Sequence, residues 1–101
     1  MDITPTMTSE ELYEYFTVGI GVEIAHMGLD DTPFTRLKIL KTVVDEVSFI
    51  IEDVLRSSSL PREEKVICAE FGLVFCNVSE KVFLDLQAAA AQHLRRELNL
   101  D

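Results

Sequence analysis

Apolar residues recur along most of the chain at three- and four-residue spacing, the period of helices that lay one face on a core. Leu12, Phe16, Ile20, Ile24 and Met27 form the first stripe, and Val18 and Val22 broaden it. Thr8 and Glu11 match a capping box at its start, and Met7 is placed to staple onto Leu12. Gly19 and Gly21 lie inside this helix, where they permit close packing or a hinge; close packing is the simpler reading. Gly28 suits the stop. Pro33, after the cap candidates Asp30 to Thr32, suits the first position of a second helix. The apolar arc of that helix holds Leu37, Ile39, Leu40, Val43, Val44, Val47, Ile50, Ile51, Val54 and Leu55. Its polar arc holds Lys38, Asp45, Glu52 and Arg56, with Phe49 stranded among them.

Ser57, Ser58 and Ser59 end the second helix, and Pro61 opens a third. Glu63 and Glu64 stand in its first turn and Arg95 and Arg96 near its end, each sign where the helix dipole favours it. The pattern predicts an all-α fold, an antiparallel bundle of three long helices at about 8–27, 33–56 and 61–98. A chain of this length forms one domain over residues 1–101, with 1–7 expected as a flexible arm.

The third stretch is the unusual one. From Val66 to Val78 apolar side chains cover nearly the whole helix circumference, with relief only at Glu70 and Asn77. Val66, Ile67, Val74, Phe75 and Val78 also suit a strand, but the segment lacks alternation and turn signals, so helix is the better reading. A helix apolar all round is normally buried. Two shorter helices cannot wrap it, so a second surface is expected, as a homodimer or a complex with another protein. Asn77 and Glu80 repeat the capping-box pattern, so a break near residue 77 would yield four helices and fold the C-terminal part back. Unbroken, the helix would run ~55 Å and overshoot its neighbours. Val82, Phe83, Leu86, Ala90, Leu94 and Leu98 continue one broad apolar face.

Charge narrows the choice of partner. The formal net charge is −9, which disfavours binding to nucleic acid or anionic membranes. No Lys or Arg precedes Arg36, whereas Glu10, Glu11 and Glu14 do. That region reads either as a solvated acidic face or as a docking surface for a basic partner. No apolar run approaches the ~18 residues of a membrane span. An acidic start without an apolar leader predicts a cytoplasmic protein.

Chemistry is sparse. His26 and His93 stand apart, and Cys68 and Cys76 lack the paired spacing of a metal site. Glu23 and Glu70 both sit in apolar helical contexts, and Glu70 is the more interesting, a carboxylate that half-burial would perturb. No cofactor, metal or catalytic residue is expected, and no enzymatic activity. The expected function is a small acidic regulator that occupies a partner's surface, as inhibitor, antiactivator or adaptor. An immunity protein or secretion chaperone masking one toxin or effector is the alternative, and a small-molecule-binding bundle a further one. Candidate interface residues are Phe49, Phe71, Val74, Phe75, Val78 and Val82, with Glu10, Glu11 and Glu14.

Overall fold

A computed structural model describes residues 3–99. Three helical segments, and no strand, occur among the described residues. The first comprises α1 (Ser9–Glu14), a π turn (Tyr15–Gly19) and α2 (Ile20–His26). The second is α3 (Pro33–Arg56) and the third α4 (Arg62–Glu97). Among the described residues no helix is long and apolar enough to cross a membrane.

The start signals act as expected. Thr8 Oγ1 accepts from Glu11 N–H at 3.2 Å, and Glu11 Oε1 accepts from Thr8 N–H at 3.1 Å. Thr32 Oγ1 accepts from Thr35 N–H at 3.2 Å, with Pro33 at the first helical position. Gly28 ends the first segment at φ 68°, a left-handed conformation natural for glycine. Leu29 N–H then reaches back to the Ile24 carbonyl at 3.2 Å, closing the helix end.

The π turn answers a spacing problem. Leu12, Phe16, Ile20 and Ile24 are all fully buried yet lie four residues apart. On a regular α-helix each such step drifts by ~40°, so the stripe would wind ~120° away from the core over three steps. In the π turn Ile20 N–H donates to the Tyr15 carbonyl, five residues back. The wider turn rotates less per residue and keeps all four side chains on one face. It also buries Tyr15 beside Phe16, their rings edge to face at 5.4 Å.

The core joins that stripe to Leu40 of α3 and to Phe71, Phe75 and Val82 of α4. Phe75 sits 5.6 Å from Phe16 and 5.9 Å from Phe71, centroid to centroid. At the far end Phe34 meets His93 edge to face at 5.6 Å.

Helix α4 runs unbroken through Asn77 for 36 residues. At ~54 Å it sets the long dimension of a molecule measuring 56 × 26 × 21 Å. Ser9–His26 spans only ~27 Å. It packs mainly on α4, and α3 and α4 share the most extensive contact. The first segment is shorter than α3, which runs ~36 Å, so part of the α3–α4 pair lacks a third helix above it. The expected arm is laid down from residue 3 onward, with Ile3 and Met7 packed on the core. Met1 and Asp2 lie outside the described residues.

Candidate protein-docking surface

The incomplete third layer leaves much apolar surface open. The chain exposes 7177 Å², against roughly 5,800 Å² for a compact monomer of its mass. Its radius of gyration is 16.0 Å, against about 13 Å for a compact domain of this length. Three features make up most of the surface of interest.

The first is a groove of about 420 Å³ between α3 and the start of α4. Val47, Ile50, Ile51 and Val54 supply one wall, and Ile67, Cys68 and Phe71 the other. Ile3 and Pro5 of the arm and Leu60 of the loop complete it, and Glu64 is its one charged lining residue.

The second is Phe49, which is 71% exposed on the outer face of α3. Asp45, Glu46, Glu52 and Asp53 stand three and four residues away on either side. Those are its same-face neighbours on a helix, so the ring rises from a collar of carboxylates. Only Glu52 is in an ion pair among the described residues, with Arg56 at 2.5 Å.

The third is a shallow depression between α1 and α4. It brings together the expected residues Glu10, Glu14 and Val78, with Tyr13 and Lys81. The Lys81 ammonium lies 5.4 Å from the Tyr13 ring centroid. Glu11, also expected here, is engaged by the cap of α1.

Other expected interface residues lie elsewhere. Phe75 and Val82 are core, 1% and 3% exposed, so their apolar demand is met within the chain. Phe71 is buried too and only floors the groove. Val74 is half-buried against the same core, as is Val78. The unsatisfied part of the greasy segment is its outer face, at Val66, Ile67 and Leu73.

Polar groups do not converge on a reaction centre. Glu70 is exposed on α4. Cys68 and Cys76 are free thiols. His93 reaches Glu97 at 3.2 Å, and His26 is exposed at the end of α2. No group of three metal-ligating side chains occurs among the described residues.

One polar cluster braces the surface. Arg36 donates to both Asp31 carboxylate oxygens, at 2.6 and 2.9 Å, and to the Thr17 carbonyl in the π turn at 2.7 Å. Gly21 makes room for it: a Cβ there would lie 2.7 Å from Arg36 Nη2. The hydrogen bond from Arg36 lowers the Asp31 pKa below the usual carboxylate range, its charge adding to the effect and burial opposing it. The same bond raises the Arg36 pKa. The cluster ties the first segment, the following loop and α3 together.

No family model matches the chain, and neither a curated protein nor a solved structure matches it. The functional reading rests on the surface alone.

Proposed function

We propose that the protein is a non-catalytic regulator that occupies the surface of another protein, as an inhibitor, antiactivator or adaptor. The observation that carries this reading is the surface excess of about 1,400 Å² over a compact monomer. A standard protein interface takes about 800 Å² from each partner, so the excess is large enough to supply one. Phe49, Ile50, Val66, Ile67 and Leu73 are among the large apolar side chains left exposed, and large exposed apolar patches mark interaction sites. In this reading the three segments form an antiparallel bundle left open at one end. The Phe34–His93 contact and the close approach of Ile51 to Gly72 support it, since they join opposite ends of α3 and α4 in sequence.

A different protein fits better than a second copy. Two copies would bring −9 against −9. Burial of Phe71, Phe75 and Val82 within one chain also removes most of the argument for an obligate dimer. Phe49 has the form of an anchor, an aromatic ring held out where a basic-rimmed pocket would receive it. Capture from the cells that make the protein, wild type against Phe49→Ala, tests the reading. A stoichiometric protein partner depleted by the substitution supports it. Recovery of both forms alone and monomeric overturns it.

A further inference from the structure

The groove between α3 and α4 has acidic banks on both sides, arranged alike. Ile50 and Ile67, 58% and 50% exposed, stand on opposite walls. Glu46 and Asp53 lie four residues before and three after Ile50. Glu63 and Glu70 lie four before and three after Ile67. These positions share a helix face with the isoleucine they flank. Each wall thus carries two carboxylates two turns apart, roughly 10 Å. With Glu64 in the lining, five carboxylates surround the groove, and none is in an ion pair among the described residues. The neighbouring bases face elsewhere. Arg62 and Lys65 are roughly 140° and 160° around α4 from Ile67, and Arg56 pairs with Glu52.

We infer that this groove receives an amphipathic helix of another protein, apolar along one face and carrying Lys or Arg on both flanks of that face. The inference rests on the protein-binding reading above and names the chemistry of the partner. Two helices wall the groove, so it offers no sheet edge to pair with an extended peptide. The occupant must satisfy its own backbone hydrogen bonds, as a helix does. Its apolar stripe takes the place of a third helix over this part of the α3–α4 pair. Bases seven residues apart on each flank match the spacing of the bank carboxylates. A second copy of this chain fits poorly, because Ile50 and Ile67 on its own exposed helix faces are flanked by acids.

The test uses a fluorescently labelled leucine–lysine peptide patterned as an amphipathic helix of about five turns, titrated with the full chain at physiological salt. A peptide of the same composition in scrambled order and a leucine–glutamate helix serve as controls. The patterned basic helix is expected to bind about tenfold or more tighter than either control. The double substitution Glu63→Lys with Glu70→Lys, and separately Ile67→Ser, are each expected to weaken binding about tenfold, while Leu84→Ala, at an exposed position far along α4 from the groove, leaves it unchanged. Circular dichroism melting of each variant confirms that it is folded. Equal binding of the scrambled peptide overturns the inference, because charge alone would explain it. Indifference to both groove variants overturns it too. If Phe49→Ala still depletes the captured partner in that case, the protein-binding reading survives and only the groove assignment falls. A doubled mass abolished by Ile67→Ser, without peptide binding, assigns the groove to a second copy and likewise overturns it.

Discussion

Phe75 and Phe49 are the same residue type in opposite circumstances, and Phe75→Ala measures how much of the greasy third helix the chain satisfies by itself. Phe75 is 1% exposed and lies 5.6 Å from Phe16 and 5.9 Å from Phe71. Truncating a buried phenylalanine costs about 3–5 kcal/mol, through lost transfer free energy and the cavity left behind. A domain of this size has about 5–15 kcal/mol to lose, so the variant stays measurable at the upper end of that range. Phe75→Leu is the milder companion, expected to cost less than about 1.5 kcal/mol. Combined with Phe16→Leu in a double-mutant cycle, it should show a coupling of about 0.5–1.5 kcal/mol from the paired rings. The assay is urea unfolding followed by circular dichroism, at two protein concentrations tenfold apart. An intrachain core predicts the same midpoint at both. A loss under about 1 kcal/mol for Phe75→Ala, or a midpoint that rises with concentration, would refute the placement of Phe75 in the core of a single chain.

Further outcomes follow from particular contacts. Asn77→Ala should stabilise the protein by about 0.5 kcal/mol, since Asn77 is exposed within a continuous helix; a loss of about 1 kcal/mol in urea unfolding would instead mark a helix start there. Thr8→Ala should cost about 1 kcal/mol through loss of the capping box, read as a lower melting temperature. Asp31 has a lowered pKa in the folded chain, so its contribution is present above its unfolded value of about 3.9 and fades as pH falls below it. Stability measured from pH 7 down to 3 should therefore fall less steeply in Asp31→Asn than in wild type. The difference should be small, because the carboxylate is half exposed.

Local signals were legible in the sequence. The caps at Thr8 and Thr32, the stop at Gly28 and the proline openings depend on a few neighbouring residues, and each acts where expected. The Asn77–Glu80 pattern misled for the same reason. A capping box works only where the preceding backbone has left the helix, and nothing upstream of Asn77 makes it leave. The π turn had a trace in the four-residue spacing of Leu12, Phe16, Ile20 and Ile24, which a regular helix cannot keep on one face. The groove was not legible, because it depends on Ile50 and Ile67 lining one groove from two different helices. A wheel drawn for one helix at a time shows each isoleucine with its acids but not their juxtaposition. Reading Val66–Val78 as apolar all round was sound; its inner half is core and only its outer half is unmet.

The central claim is that the open surface belongs against a different protein. The native mass of the chain, recovered from the cells that make it and measured by light scattering, tests this most directly. A complex well above 11.4 kDa, containing a second and more basic protein in fixed ratio, is the expected result. A bare species of 11.4 kDa, or one of twice that mass containing this chain alone, would contradict it.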